Sequence, residues 1–334
     1  MVKVSIIIVN YNSVELIVNC LSALEKQTFK ELEVIIVDNN STDDSLDKIK
    51  RIIKGNLKHI RIRLIALATN SGFAAGNKEG LRLATGEYIA LLNADTTPHY
   101  KWLEELVHVM DDNPYAGICA SKLTACQSDM IDSAGDGCSK ALKGFKRGEG
   151  RETTSFDKEE FVFGACAGAA LYRRKMLEET GFLDEDFFLI YEDTDLNFRA
   201  QLAGWKVMYV PTAVVQHKVR SSIGIMSDTA IYYSLRNSEL VRIKNVPVYV
   251  FFRCLPEFII SIIAEFLYFA IKHNKSRLYF KAKWDALRML PVMLKKRKAI
   301  MKTRKVNDKY LLGMMTPVWQ KDFFKAKAKR FLHG

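Results

Sequence analysis

Apolar positions along the first hundred residues follow two rhythms. Residues 4–9, 33–37, 60–67 and 88–92 are short, β-branched runs with few polar interruptions, and they read as strands. Residues 14–26, 43–54, 74–84 and 100–112 repeat their apolar positions at helical spacing. Continuous apolar strands separated by helices of ten or more residues predict an α/β fold, a mostly parallel sheet with helices on both faces. Ligands of such sheets bind beyond the carboxyl ends of the strands. The polar clusters fall there: Asn10-Tyr11-Asn12, Asp38-Asn39-Asn40-Ser41-Thr42 and Asn93-Ala94-Asp95. Residues 121–150 are rich in Gly, Ser, Asp and Lys without a clear period, and they read as an irregular insertion or hairpin region over a binding face. Order returns at Phe161 and runs to Asn245, followed by a very apolar stretch over 246–271 and a basic tail.

Composition narrows this picture. The 334 residues are 49% apolar and 26% charged, which is globular and excludes a disordered chain. The net charge of +12 is uneven: residues 272–334 carry 19 Lys and Arg against three acids, and the first 271 residues are slightly acidic. Basicity confined to a tail argues against a nucleic-acid partner for the body of the protein. The six cysteines form no C-x-x-C pair, so reduced thiols are expected rather than a zinc ribbon or disulfide framework. The first apolar run is too short and too β-branched for a secretory leader and passes into Asn10-Tyr11-Asn12 without a small-residue cleavage site, so a cytoplasmic protein is expected.

Several segments carry residue types suited to chemistry. Asp38 ends a buried strand and could accept hydrogen bonds from a base or ribose, with Ser41 or Thr42 capping the next helix; a plain strand-to-helix turn is the stronger reading. Glycines 72, 76 and 80 are spaced by four, which fits close helix packing better than a phosphate loop. Asp95, after a strand and before Pro98, reads equally as a turn residue or as a Mg²⁺ or Mn²⁺ ligand sharing its ion with phosphates. In the block 184–199, acids follow the apolar run Phe187-Phe188-Leu189-Ile190-Tyr191, which should bury the segment and hold Glu192 and Asp193 at a pocket mouth. A partly desolvated carboxylate there suits a general base. His217, beside Lys218 and Arg220, ends another strand and is by itself a weak metal candidate.

In this order the motifs resemble family 2 glycosyltransferases of the GT-A fold, in the branch that includes bacterial rhamnosyltransferases. The carrying residues are Val4-to-Asn12, Ile36-to-Thr42, Asn70-to-Asn77, Leu92-to-Thr96, Gly168-to-Arg174, Gly181-to-Phe188, Tyr191-to-Leu196, Gly204-Trp205 and His217, with Tyr232-to-Asn237 and Lys244-Asn245 beyond. The resemblance covers 2–245 and implies a catalytic domain over 1–245, followed by a segment 246–334. It implies that Asp38 contacts the nucleotide with Tyr11 and Asn70 nearby. It puts Asp95 at the last position of the family's D-x-D metal motif, with Asn93 at the first, so that Mg²⁺ or Mn²⁺ would rest on Asp95, the diphosphate and His217. Asp193 would be the catalytic base. The implied activity is inverting transfer of a sugar, rhamnose first, from a nucleoside-diphosphate sugar to a saccharide or lipid-linked acceptor in cell-surface polysaccharide synthesis. Uridine-linked hexoses remain open as donors, and a non-catalytic nucleotide-sugar-binding protein is the alternative.

Arg253, Glu257 and Glu265 interrupt the 246–271 stretch, so a spanning helix is not expected. With Ser261 they recur every four residues, a narrow polar stripe on a helix that must be buried in protein or lipid. Clusters at 295–298 and 302–305, and a basic amphipathic pattern over 323–332, predict peripheral attachment to an anionic membrane surface at its cytoplasmic face. A tail folded onto the catalytic part, or a dimer contact, is the other reading.

Overall fold

The β-branched runs form β1 (Val4–Asn10), β2 (Leu32–Asp38), β3 (Arg61–Ala66) and β4 (Tyr88–Leu92) in a computed structural model that describes residues 2–55, 60–126, 128–218 and 226–320. They pair in parallel in the order β3-β2-β1-β4, with Asn10 level with Asp38. Helices α1 (Val14–Glu25), α2 (Ser45–Gly55) and α3 (Gly72–Leu83) make the crossovers. Every residue of β2 and β4 is buried, which is why neither strand alternates in polarity. The three spaced glycines do serve close packing. A Cβ on Gly80 would stand 2.4 Å from Ile7, and one on Gly76 would stand 3.0 Å from Val9, so α3 lies directly on β1.

Beyond β5 (Thr96–Pro98) and α4 (Trp102–Asp112) the sheet becomes mixed. It continues past β4 with antiparallel β11 (Ala169–Arg173), then β6 (Ala116–Ala125), β12 (Lys206–His217) and β10 (Glu160–Val162). Segment 121–150 takes the hairpin form of the two expected. It completes β6 and adds β7 (Ile131–Ala134), β8 (Asp136–Ser139) and β9 (Gly144–Lys146). Its strands are short and small-residue rich, so they carry no apolar alternation from which they could be read. Helices α5 (Arg174–Thr180) and α6 (Glu192–Leu202) flank β11 and β12.

Next come α7 (Asp228–Asn245), α8 (Val248–Glu265), a π-helical extension Phe266–Lys272, α9 (Ser276–Arg288), α10 (Leu290–Lys302), α11 (Asp308–Met314) and β13 (Met315–Thr316). Strand β13 pairs with β8. Val250, Cys254, Ala286 and Leu311 share one core with Phe163, Phe187 and Phe198, so the late helices pack on the sheet body. The expected amphipathic segment 323–332 and Arg220 lie outside the described residues.

Candidate active site

The pairing of β5 with the end of β12 sets Thr96 opposite His217, and this brings the neighbouring Asp95 to the same ring. His217 Nε2 lies 3.4 Å from Asp95 Oδ1. On its other side, Nδ1 lies 2.8 Å from Oδ2 of Asp132, carried in by β7 on the β6–β7 hairpin. Lys146 of β9 donates to both Asp132 oxygens at 2.7 and 2.8 Å. Burial alone would lower His217, but the hydrogen bonds to Asp132 and Asp95 outweigh it and push the imidazole up to about 9. Asp132 is opposed by burial as well, yet His217 and Lys146 hold it below the usual carboxylate range.

Asp193 sits half-buried in the first turn of α6. Its Oδ2 accepts from Ala167 N–H at 3.3 Å and its Oδ1 from Thr194 N–H at 2.6 Å. Asn197, one turn on, bonds both backbone groups of Ala165 and so aligns the turn before β11 that presents Ala167. Burial pushes Asp193 up, and these two N–H groups pull it back. Burial, and then the Asp193 charge, push both Asp136 and Glu192 up to about 8. Both therefore hold a proton near neutrality, and Oε2 of Glu192 is buried without a partner. Asp193, with its N–H donors and the Lys146 charge nearby, is the acid of this group best able to stay ionised.

The approach to α6 is strained. Phe188, Ile190 and Tyr191 have φ of 63°, 64° and 75°, a region that β-branched and bulky residues avoid. Asn237 of α7 holds them there. Its Nδ2 faces the carbonyls of Phe187, Leu189 and Ile190 at 2.8, 2.8 and 2.6 Å. Gly72 meets the same loop from below, since a Cβ on it would stand 2.6 Å from the Phe188 carbonyl. Asn237→Ala removes the clamp, so the loop relaxes and Asp193 moves. Displacements of an ångström cost roughly 10²-fold in rate. Steady-state turnover should fall by about that factor while circular dichroism stays native; an unchanged rate contradicts the clamp.

The other expected site residues lie at the carboxyl ends of β1 to β4. Asp38 is turned inward, accepting from Asn10 at 3.0 Å and from Ser41 Oγ at 2.6 Å. Ser41 thus serves Asp38 and does not cap α2, whose first residue, Ser45, donates its N–H to Asp43. Asn70 Oδ1 accepts from Asn39 at 3.0 Å, which ties the ends of β2 and β3 together. Tyr11 is exposed. Asn93 is half-buried, and its N–H donates to Gly168 O at 2.8 Å. Asp95 and His217 are thus in direct contact, and Lys146, which bonds Asp132, also acts by its charge on Asp193. Asp132, Asp136 and Lys146 escaped sequence reading because their strands did. Only the Lys and Asp content of 121–150 hinted at a site there.

Comparison with known proteins bears on this arrangement. Residues 5–181 match the family model described as glycosyl transferase family 2. An uncharacterized glycosyltransferase of Haemophilus influenzae is 31% identical over 120 residues, 36% of this chain and 36% of that protein, so the match spans about a third of that relative. The amylovoran biosynthesis glycosyltransferase AmsB of Erwinia amylovora is 24% identical over 245 residues, 70% of this chain and 76% of the relative. Among solved structures, the mannosyltransferase PcManGT from Pyrobaculum calidifontis, in complex with GDP-Man and Mn²⁺, superposes with a TM-score of 0.56. It is 18% identical and covers 99% of this chain and 84% of its own. Likeness at that identity speaks to fold, and the fold is the GT-A arrangement that the motifs implied.

Proposed function

The chain belongs to glycosyl transferase family 2, and from that membership we propose an inverting transfer of one sugar from a nucleoside diphosphate to an acceptor hydroxyl. One observation carries the reading. A histidine–carboxylate pair, His217 and Asp95, is held through Asp132 by Lys146, and the Lys146 charge also acts on an ionisable carboxylate, Asp193. In the reaction the acceptor oxygen attacks the anomeric carbon in line with the bond to the diphosphate. A carbon–oxygen bond forms, the one to the diphosphate breaks, and Asp193 takes the hydroxyl proton. Glycoside hydrolysis needs a second carboxylic acid to protonate its leaving oxygen, whereas a diphosphate departs without one.

Asp95 and His217 would hold Mg²⁺ or Mn²⁺. The donor set fits. Asp132 occupies Nδ1, so Nε2 and an Asp95 oxygen face each other 3.4 Å apart. Among the described residues no group of three or more His, Cys, Asp or Glu could enclose an ion. Such an open pair suits a cation whose shell is completed by phosphate oxygens and water. When bound, the cation supplies charge stabilisation to the leaving diphosphate. Asp132 positions the imidazole, and loss of such an orienting carboxylate weakens metal binding by roughly 10–100-fold. Asp132→Ala should show that loss in Mn²⁺ titrations followed by electron paramagnetic resonance; wild-type affinity contradicts the role.

Tyr11, Asp38 and Asn70 line the strand ends suited to the nucleoside. Rhamnose on thymidine diphosphate is the donor favoured by the motif series, and the product belongs to a cell-surface polysaccharide, in keeping with the AmsB-like relative. The deciding experiment incubates the purified chain and Mn²⁺ with dTDP-rhamnose, UDP-hexoses and GDP-mannose, and follows nucleoside diphosphate release with and without acceptor extracts. Donor binding without release from any of them would leave a nucleotide-sugar-binding protein.

A further inference from the structure

Helix α8 is mounted inside out. Its acids face the protein: Glu265 is buried and bonds Lys143 and Lys283, the latter at 2.5 Å, while Glu257 accepts from Val318 N–H at 2.8 Å. Its apolar residues face outward. Val248, Phe252, Ile259, Ile263, Leu267 and Ile271 recur at intervals of four and seven and are 44–63% exposed. Only 17% of the most apolar stretch of Val248–Lys272 is buried. A helix in water orients the other way, because each exposed aliphatic residue forgoes its transfer energy.

The stripe continues on α9. Phe280, Trp284 and Leu287, at positions i, i+4 and i+7, are 54–59% exposed, opposite the buried Tyr279, Ala282 and Ala286. The rings of Phe266 and Phe280, 6.1 Å apart, join the two helices. Arg288 lies over the Trp284 ring at 5.6 Å, and the sequence from Lys272 onward carries 19 Lys and Arg against three acids. An apolar face with a tryptophan, edged by lysine and arginine, has the composition of a helix lying in the headgroup boundary of a bilayer.

We propose that the exposed faces of α8 and α9 dock in plane on an anionic phospholipid bilayer. The length of Val248–Lys272 alone would allow a span. The side bearing Glu257 and Glu265, with Val250 and Cys254 in the shared core, fixes the helix to the catalytic body, so lipid reaches one face. A second copy of the chain fits less well, because a two-fold contact would press two strongly cationic regions together. Anionic headgroups complement the same charge. The β8–β9 hairpin ties the inward side of this helical segment to the site, since it carries Lys143 to Glu265 and Lys146 to Asp132.

The test is sedimentation of the full chain with vesicles of phosphatidylglycerol and phosphatidylcholine, with phosphatidylcholine alone, and without lipid. The comparison protein is Phe252→Gln/Ile263→Gln/Trp284→Gln, whose changes are on exposed side chains away from the site. The wild type should bind the anionic vesicles, and the triple variant at least tenfold more weakly, with donor hydrolysis or transfer to a soluble acceptor unchanged. Equal binding by both proteins overturns the proposal and assigns attachment to the basic tail. Absence of wild-type binding overturns it too, as does a wild-type dimer that the triple variant converts to monomer. None of these outcomes depends on the sugar-transfer reading, which the donor panel tests separately.

Discussion

Asp193→Asn will abolish sugar transfer while leaving the donor bound and the protein folded. The amide keeps one oxygen to accept from Ala167 N–H, while its NH2 group takes the place of the oxygen that accepted from Thr194 N–H, so one hydrogen bond at the start of α6 is given up. What disappears is the ability to take a proton, and a positioned general base contributes roughly 10²–10⁴-fold. Removing the charge also relieves Asp136 and Glu192, both pushed up to about 8 by burial and then by Asp193. That relief offsets the lost Thr194 N–H bond, worth about 1 kcal/mol, so the fold should hold. The pH profile supplies a second readout. Burial raises the Asp193 pKa, so the base ionises, and turnover is gained, at a pH above the ordinary carboxylate range. Turnover should fall on acidification through that raised value in the wild type. Single-turnover assays with isothermal titration of the donor separate the effects; retained turnover in Asp193→Asn removes the residue as base.

Two positions along, Asp195→Asn will do the reverse and destabilise the fold. Asp195 is fully buried and accepts from Arg199 at 2.9 Å, Lys244 at 2.8 Å and Asn245 at 2.7 Å. Burial alone would raise it, but Arg199 and then Lys244 hold it below the usual carboxylate range. Losing one member of such a network leaves cations buried without compensation, at a cost of about 3–5 kcal/mol. That is a large part of a total stability of roughly 5–15 kcal/mol. The urea midpoint should drop sharply, and a midpoint equal to the wild type contradicts the account. The same physics sets an acid limit. Asp184 is held far below its ordinary value by Lys244 and Lys296 against burial, and Glu239 is lowered to about 2 by Arg242 and Lys283 against burial. A depressed folded pKa adds stability that is complete above the unfolded value and lost as pH falls through the folded one. For Glu239 that loss runs from about pH 4.5 to about pH 2, so acid unfolding should occur there.

The two aspartates show how far residue types alone can be read. Both lie in one acidic run, and nothing local separates them; their neighbours do. Asp193 faces backbone N–H groups and a partly open edge, whereas Asp195 faces Arg199, Lys244 and Asn245 from α6 and α7. Helix α8 gives the same lesson. Its period showed a polar stripe, but only packing decided that the stripe's two acids face Lys143, Lys283 and Val318 and that an apolar side is left outward.

The chain by itself determined the parallel half of the sheet, the crossover helices, the close seat of α3 on β1 and the order of the polar clusters. Those features rest on periodicity and side-chain volume, which are local properties. Tertiary structure decided that β7 and β9 exist, that Asp132 turns Nδ1 of His217 and that Asn237 holds three left-handed residues before α6. These partners are 47 to 85 residues apart. They meet only because burying the sheet and its helices brings their strand ends and loops together, and no local pattern encodes such a meeting.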